Sequence, residues 1–459
     1  MMSRPIGKAS PRSSMICYKF ISITVLLLSV SIGVLIKSLP AAHHSNRPIP
    51  VEAVPQWQTS EVHWAVRYFI GYLFGALFPV GQLLKCPTTV DWQNLTEAKE
   101  AEACMNPMRA SMESADGMVD LNALFDVQAI DIPRDDGNNN PIHVTLLKKK
   151  KSSYTVTKTN NSKSAAPLIL YMHGGGFIMR AGKNGFASEV FSYLLQLGEE
   201  DENADDSASS FIDDAVWAVV DYRLAPEYLY PAAPDDCLFT LNYLVNVMNL
   251  GRGGIHISGI SAGATLAMEV TLKSLDMNID TFYLDEPMVP LPSKDSNPKS
   301  WTLDSNSFRR HSYSRVSPVE LAEWTLKAVT GMDTNHELES SIAYGMIETD
   351  VDITGGATDA ANWKSAFDES NATQLPRLFL LTTHGDPLMD GGLYFKSVYE
   401  DVLKLVDAEV LKDTDRQPQI KHVESFTGHT LHLMLERSLF REMTKEWYAE
   451  MKRAYYRKL

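Results

Sequence analysis

Residues 169–182 of the chain read ILYMHGGGFIMRAG: an apolar run, one histidine and three consecutive glycines. A short continuous apolar run of this kind is typical of a buried strand. At Gly174, Gly175 and Gly176 no side chain shields the backbone, so its N–H groups are open to close approach by a ligand. The stretch therefore predicts a buried strand that ends in a loop whose backbone contacts a ligand.

A second motif stands at residues 259–263, which read GISAG and match the pattern G-x-S-x-G between a strand and a helix. A serine forced onto a sharp turn needs small residues two positions away, where strand and helix approach closely, and its hydroxyl then stands exposed. Attack of that hydroxyl on an ester carbonyl builds negative charge on oxygen, which backbone N–H groups stabilise. We hypothesise that Ser261 is a nucleophile and that residues 174–176 form an oxyanion hole. The alternative for the glycines is a turn without a chemical role.

The pattern of apolar residues predicts the fold class. Six apolar runs predict strands, and they read PLILYMH, AVWAVVDYR, GGIHISGI, TFYLDEPMV, PRLFLLTTHGD and QIKHVESF. The segments between them, such as AAPDDCLFTLNYLVNVMN, space their apolar residues at three and four positions, as helices do. Strands that alternate with helices need crossover connections, so the chain is predicted to form one α/β domain with a mostly parallel sheet and helices on both faces.

The remaining segments complete the predicted organisation. The runs LFDVQAIDIP and PIHVTLLKK predict two strands joined by a turn ahead of the parallel set. We place the catalytic domain at residues 121–459 and a membrane-proximal region at residues 37–120. Within the domain, residues 198–210 are interpreted as an acidic surface loop and residues 292–365 as a candidate lid.

Four stretches together resemble the hormone-sensitive lipase family of α/β-hydrolases, which includes arylacetamide deacetylases and microbial carboxylesterases. They are His173-Gly174-Gly175-Gly176-Phe177, VVDYRLAPEYLYPAAPDD at 219–236, the serine motif and HGDPLMDGG at 384–392. The resemblance runs over roughly residues 126–440. It implies the α/β-hydrolase fold with a cap, a serine hydrolase that cleaves carboxylic esters, the acid on Asp386, and an oxyanion hole built from the backbone of Gly175, Gly176 and Ala262. Ile260 and Ala264 depart from the family, which usually has aspartate and glycine there.

Asp386 is also a candidate acid from its own position. It follows the apolar run RLFLLTT and precedes a proline, which places it at the carboxyl end of a strand, where the catalytic residues of open α/β sheets gather. The order Ser, Asp, His along the chain is that of α/β-hydrolases. Asp390 is a rival acid, which we interpret as a helix cap.

The histidine of the triad is open between two residues. The family usually has a glycine, two residues and then the histidine, a spacing that falls here on Leu431 in FTGHTLHLML. We favour His432, since a loop accommodates one extra residue more readily than the loss of two. His429 stays a candidate because many other α/β-hydrolases place the histidine directly after a glycine. We interpret His422 as a structural residue of a strand, and a metal site at His429 and His432 lacks further ligands.

No metal or organic cofactor is expected. Arg223 and Glu227 are interpreted as an ion pair or loop brace rather than catalytic groups. Two other functions stay open: a non-catalytic ligand-binding protein of the same fold, like the gibberellin receptors that have lost the histidine, and an amidase or formamidase.

The N-terminal part predicts a membrane anchor. Residues 20–36 carry no charge and follow several basic residues, and at about 1.5 Å per residue they approach the thickness of a thin bilayer. Positive flanks keep residues 1–19 cytoplasmic and direct the catalytic domain to the lumen of the endoplasmic reticulum. A cleaved signal peptide, and thus secretion, is the alternative. The apolar residues 68–84 predict a helix on the membrane or on the catalytic body, and a second membrane-embedded segment is the alternative. Three acceptor sequons fit a luminal protein, at Asn94, Asn160 and Asn371.

Charge and cysteine content narrow the function further. The 42 Lys and Arg against 57 Asp and Glu give a net charge of -15, which repels phosphate backbones and argues against nucleic acid as a partner. Small or neutral ligands are therefore expected, and for the serine hydrolase implied by the resemblance the expected substrate is a small apolar ester. The four cysteines are too few and too irregular for a zinc site or a disulfide scaffold, and at most Cys86 and Cys104 form one bridge.

Overall fold

The computed structural model describes most of the chain from Leu83 onward. The described residues are 83–91, 93–116, 120–123, 125–134, 140–150, 166–180, 183–202, 211–289, 291–292, 300–302, 305–310, 319–331, 337–339, 375–407, 420–425, 427–430 and 432–458.

Eleven strands occur among these residues. They are β1 (Phe125–Ile132), β2 (Ile142–Lys149), β3 (Leu168–Met172), β4 (Val216–Asp221), β5 (Ile255–Ile260), β6 (Thr281–Asp285), β7 (Leu291–Pro292), β8 (Ser300–Thr302), β9 (Glu337–Glu339), β10 (Arg377–Thr383) and β11 (Ile420–Ser425). Eight of them form one sheet in the order β1-β2-β4-β3-β5-β6-β10-β11. β2 pairs antiparallel with β1 and β4, and every other pair is parallel. The six runs predicted as strands from Pro167 onward are therefore confirmed, as is the mostly parallel sheet.

The helices follow the strands in the alternation that the sequence predicted. They are α1 (Leu95–Asp116), α2 (Gly185–Glu202), α3 (Phe211–Asp214), α4 (Ala232–Asn242), α5 (Ala262–Lys273), α6 (Asn306–Arg310), α7 (Val319–Thr330), α8 (Met389–Asp407), α9 (His432–Leu435) and α10 (Arg437–Lys458). Because α2 continues to Glu202, the prediction of an acidic loop over 198–210 is wrong for 198–202, and residues 203–210 lie outside the described part.

Apolar layers cover both faces of the sheet. Successive residues of β3 alternate between two buried clusters: Leu168, Leu170 and Met172 belong to one, Ile169 and Tyr171 to the other. Side chains of α4, α5 and α8 fill the first cluster, and those of α2 and α10 fill the second. A strand buried on both faces in this way reads as a continuous apolar run, which is why β3 was visible in the sequence.

Parts of the candidate lid at 292–365 are described. β7, β8 and β9 form a small antiparallel sheet, and α7 packs back on the body. Trp324 of α7 donates a hydrogen bond to the carbonyl of Cys86 at 2.9 Å, and Cys86 is joined to Cys104 of α1 by a disulfide. The insert thus contacts residues before position 121 as well as the glycine loop, where Thr325 lies beside Gly176, and the predicted domain boundaries stay predictions.

No helix among the described residues is long and apolar enough to cross a bilayer. Residues 20–36, and all but the last two residues of 68–84, lie outside the described part, as do Asn160 and Asn371. The anchor and the location of the protein therefore stay predictions. Asn94 is described and exposed.

Candidate active site

Ser261 stands on a sharp turn between β5 and α5. Its φ of 55° and ψ of −122° are values that a residue with a side chain rarely adopts, at a cost of about 1–3 kcal/mol. Its N–H donates to the carbonyl of Asp285 at 2.7 Å, which ties the turn to the end of β6. A Cβ at Gly259 would lie 2.1 Å from the carbonyl oxygen of Gly263, and one at Gly263 would lie 2.2 Å from that of Met172. The two glycines of the motif are thus required by backbone crowding, as the pattern predicted.

The glycine loop lies directly against this turn. A Cβ at Gly174 would lie 3.5 Å from the Cβ of Ser261, and one at Gly175 would lie 2.1 Å from the carbonyl oxygen of Met179. Gly175 also has a φ of 109° and Gly176 a φ of 61°. Ala262 is the first residue of α5, where a helix leaves its N–H groups without intrahelical acceptors. The predicted oxyanion donors Gly175, Gly176 and Ala262 therefore belong to segments that border Ser261, and their role stays a prediction.

A chain of hydrogen bonds links Ser261 to a histidine and an acid. Nε2 of His429 lies 2.9 Å from Oγ of Ser261, and Nδ1 of His429 lies 2.7 Å from Oδ2 of Asp386. The other carboxylate oxygen of Asp386 accepts the N–H of Leu388 at 2.9 Å, which orients the acid at the end of β10. A serine, an imidazole and a carboxylate in this sequence of contacts form the arrangement that activates a serine hydroxyl.

The preference for His432 is corrected by this geometry. Nε2 of His432 lies 3.1 Å from Oδ2 of Asp285, and Nδ1 lies 3.3 Å from Oε1 of Glu286, so both ring nitrogens face carboxylates instead of Ser261. The physical reason is that α9 begins at His432, just after the chain turns at Thr430, which has a φ of 58°. The imidazole is thereby directed into the protein, where it is fully buried.

The charges around His429 set its basicity. Burial by itself lowers the pKa of His429, but the carboxylates of Asp386 and Glu286 outweigh it and raise that pKa to about 9. Burial raises the pKa of Asp386 above its ordinary value, although the contact with His429 opposes the shift. A general base works best when its pKa is near the working pH. The site is therefore suited to alkaline conditions, in which a larger share of His429 is neutral.

Sequence reasoning missed Asp285 and Glu286. Both are buried at the end of β6, and Glu286 lies 3.2 Å from Nδ1 of His429. A signal was present: DEP follows an apolar strand at 285–287 just as DP follows one at Asp386. The same argument from the carboxyl end of a strand applies to both places.

His173 supports the glycine loop through a contact with the backbone of Gly174. It is fully buried, its Nδ1 lies 2.8 Å from the carbonyl oxygen of Gly174, and its ring stacks on Tyr222 with centroids 4.2 Å apart. The hydroxyl of Tyr222 donates to the carbonyl of His173 at 2.8 Å. Burial lowers the pKa of His173 to about 4, so the ring is neutral at physiological pH. It therefore fixes the loop and is not placed to exchange a proton with Ser261.

Arg223 and Glu227 each form an ion pair that supports a loop, but they do not pair with each other. Arg223 pairs with Asp236, with Nη2 and Oδ1 2.9 Å apart, and Glu227 pairs with Arg109 of α1. The second pair links α1 to the loop that follows β4.

Asp390 and His422 occupy the supporting positions that were expected of them. The carboxylate of Asp390 accepts the N–H of Ser307 at 2.7 Å in the first turn of α6, so it caps a helix of the insert. His422 lies on β11, with Nε2 2.9 Å from the hydroxyl of Thr382.

Among the residues that the structure describes, two groups of side chains have the composition of metal ligands. Asp285, Glu286 and His432 form one and Glu286, Asp386 and His429 the other, with their ligand atoms within 4.8 Å of one another. The two groups share Glu286, and in each of them the carboxylates already pair with an imidazole. We assign no metal to either group.

Comparisons with known proteins bear on the fold of this domain and on its family. Residues 212–415, which include Ser261 and Asp386, match a family model described as alpha/beta hydrolase fold. Esterase LipI of Mycobacterium tuberculosis is 32% identical over 118 residues, which cover 25% of this chain and 32% of that protein. The 3-O-acetylpapaveroxine carboxylesterase CXE1 of Papaver somniferum is 22% identical over 255 residues, which cover 51% of this chain and 66% of that protein. The chain thus spans less than two thirds of either curated relative.

A solved structure extends the likeness beyond the region matched by the family model. An esterase of Pyrobaculum calidifontis superposes with a TM-score of 0.50 at 19% identity and covers 76% of this chain and 92% of that one. At this identity the likeness concerns the fold. The chain therefore contains an α/β-hydrolase domain, and the resemblance to the hormone-sensitive lipase-like family that was read from the motifs is confirmed.

Proposed function

We propose that the protein is a serine hydrolase that cleaves carboxylic esters through an acyl-enzyme on Ser261. The observation that carries the proposal is the pair of contacts made by His429, 2.9 Å from the hydroxyl of Ser261 and 2.7 Å from the carboxylate of Asp386. The two relatives described above are an esterase and a carboxylesterase, and they support the same class of reaction.

Each residue has a definite role in this reaction. His429 takes the proton of Ser261 as the hydroxyl attacks the ester carbonyl, and it then gives that proton to the departing alcohol. Asp386 holds the ring in orientation and stabilises its charged form. The backbone N–H groups of Gly175, Gly176 and Ala262 stabilise the oxygen anion of the tetrahedral intermediate. Water activated by His429 then releases the acid and restores the serine.

The two alternative functions differ in what they require. A non-catalytic ligand-binding protein has no need of an ordered serine, histidine and carboxylate, so the three aligned side chains favour an enzyme. An amidase uses the same groups, and the names of the relatives favour esters over amides.

The test is hydrolysis of p-nitrophenyl acetate and p-nitrophenyl butyrate by the full chain, together with labelling by a fluorophosphonate. We expect the wild type to turn over both esters and to be labelled, and Ser261→Ala to do neither. A folded wild type that neither hydrolyses an ester nor reacts with the fluorophosphonate would contradict the hydrolase and favour the ligand-binding function. Faster turnover of matched anilides than of the esters would favour the amidase.

We extend the proposal to location, with residues 20–36 as the anchor and the catalytic domain in the lumen of the endoplasmic reticulum. The disulfide between Cys86 and Cys104 supports it, since such bonds persist in oxidising compartments. The exposed sequon at Asn94 supports it as well. On intact microsomes we expect protection from added protease and a mass loss after endoglycosidase treatment that Asn94→Gln reduces. Digestion of the catalytic domain without detergent would contradict the luminal side.

A further inference from the structure

Glu286 occupies an unusual place beside the catalytic histidine. It directly follows β6 with a φ of 52°, and its N–H donates to the carbonyl of Leu381 at 2.9 Å. This backbone conformation is one that residues with side chains rarely adopt, at a cost of about 1–3 kcal/mol, and it persists only where surrounding contacts hold it. The side chain is directed inward and is completely buried.

Both carboxylate oxygens of Glu286 hold the segment that carries the histidine. Oε2 accepts the N–H of Thr430 at 2.5 Å and lies 3.2 Å from Nδ1 of His429. Oε1 accepts the hydroxyl of Thr383 at 2.6 Å, at the end of β10 just before the loop of Asp386. Glu286 therefore connects the ends of two neighbouring strands to the loop of His429.

Nδ1 of His429 consequently faces two carboxylates, Asp386 at 2.7 Å and Glu286 at 3.2 Å. An ordinary serine, histidine and aspartate triad needs one acid at this nitrogen. We infer that Glu286 is a positioning residue of the active site, a second carboxylate that fixes the loop of His429 and stabilises the charged imidazole formed when Ser261 reacts. The inference rests on the proposed function of Ser261.

His432 explains how a second buried carboxylate is tolerated there. Its ring lies between Asp285 and Glu286, 3.1 Å from the first and 3.3 Å from the second. A buried charge is costly unless it is paired. Burial raises the pKa of Glu286, but His429 and His432 outweigh it and hold that pKa below its ordinary value, so Glu286 is ionised at neutral pH.

The remaining groups near His429 support the same assignment. The ring faces Asp386 on the loop after β10, Glu286 and Asp285 at the end of β6, and Ser261 at the start of α5. The three carboxylates all raise the pKa of His429 and so favour the protonated ring. Glu286 differs from Asp285 because it touches Nδ1 itself.

The test is the dependence of kcat/KM on pH in the full chain, with p-nitrophenyl acetate as substrate and Glu286→Gln as the central variant. His429 must be neutral to accept the proton, so kcat/KM rises as pH rises through the pKa of His429. An opposite charge at this range moves a pKa by about one to three units. We therefore expect the acidic limb of Glu286→Gln to move about one unit or more towards lower pH, while the plateau falls by about tenfold because the charged ring is less stabilised.

Two further variants separate charge from packing. Glu286→Asp keeps the charge with a shorter side chain, so we expect its acidic limb to stay nearer the wild-type position than that of Glu286→Gln. Glu269→Gln is the matched control, since Glu269 is a buried carboxylate at the far end of α5, paired with Lys273 at 2.6 Å. Its acidic limb should coincide with that of the wild type.

Each outcome decides the matter. An acidic limb that is unchanged in a folded Glu286→Gln, or that moves equally in Glu269→Gln, overturns the inference. If neither Glu286→Gln nor Glu286→Asp folds, as judged by circular dichroism, the residue serves folding alone and the inference is also overturned. Failure of the proposed function is distinguishable from failure of this inference, because in that case the wild type itself shows neither ester hydrolysis nor fluorophosphonate labelling.

Discussion

His429 and His432 lie three residues apart, both are buried and both face carboxylates, yet they have different neighbours. His429 presents Nε2 to the hydroxyl of Ser261, whereas His432 presents its Nε2 to the carboxylate of Asp285. One ring therefore has a nitrogen that can accept a proton from a nucleophile, and the other is enclosed by acids. The comparison teaches that the same residue type in the same loop serves as a base or as a buried cation according to the partner of one nitrogen.

The largest effect is expected where the nucleophile or its base is removed. Ser261→Ala and His429→Ala should each lower kcat by about 10⁴-fold to 10⁶-fold, because the members of such a triad act as a unit. Ester hydrolysis by the purified, folded variants measures this. Equal losses in His429→Ala and His432→Ala, with both proteins folded, would break the distinction between the two histidines.

The next largest loss of kcat is expected when the charge of the triad acid, Asp386, is removed. Asp386→Asn should lower kcat by about 10²-fold to 10⁴-fold, because the amide fixes the tautomer of His429 less well than a carboxylate does, while Glu286 still faces Nδ1. Asp390→Asn provides the control, since its carboxylate accepts the N–H of Ser307 instead. Its kcat should stay within a few-fold of the wild-type value. A larger loss in Asp390→Asn than in Asp386→Asn would reverse the assignment of the acid.

His432 should matter for stability more than for chemistry. His432→Asn leaves the carboxylates of Asp285 and Glu286 without their shared cation, and removing one partner of a buried ion pair costs about 3–5 kcal/mol. Denaturant unfolding of His432→Asn and of the wild type measures that loss. The folded fraction of His432→Asn should keep a kcat within about tenfold of wild type, in contrast to His429→Ala. Unchanged stability would mean that the ring does not compensate the two acids.

The smallest effect is the pH dependence of stability. Burial lowers the pKa of His432, but Asp285 and Glu286 outweigh it and raise that pKa to about 10, against 6.5 as the ordinary value. A raised pKa contributes stability that is fully present below the unfolded value and is lost as pH rises through the folded value. The free energy of unfolding should therefore fall between about pH 7 and pH 10, and less steeply in His432→Asn than in the wild type. Equal slopes in the two proteins would contradict this.

Much of the framework was predictable because local backbone demands leave marks in the sequence. A Cβ at Gly263 would lie 2.2 Å from the carbonyl oxygen of Met172, so the G-x-S-x-G pattern reports a real crowding between strand and helix. Strands such as β3, buried on both faces, read as apolar runs for the same reason. The position of Asp386 was predictable because the end of a parallel strand is where such residues gather.

The sequence alone determined the class of fold, the turn that exposes Ser261 and the loop of glycines beside it, since each depends on residues close together in the chain. Only the tertiary structure decided which histidine meets the serine and which acids surround it. The direction of the His429 ring depends on the turn at Thr430, on the start of α9 at His432 and on Glu286, which lies far away in the chain. Contacts between such distant segments are set by how strands stack in the sheet, and no local pattern of residues records them.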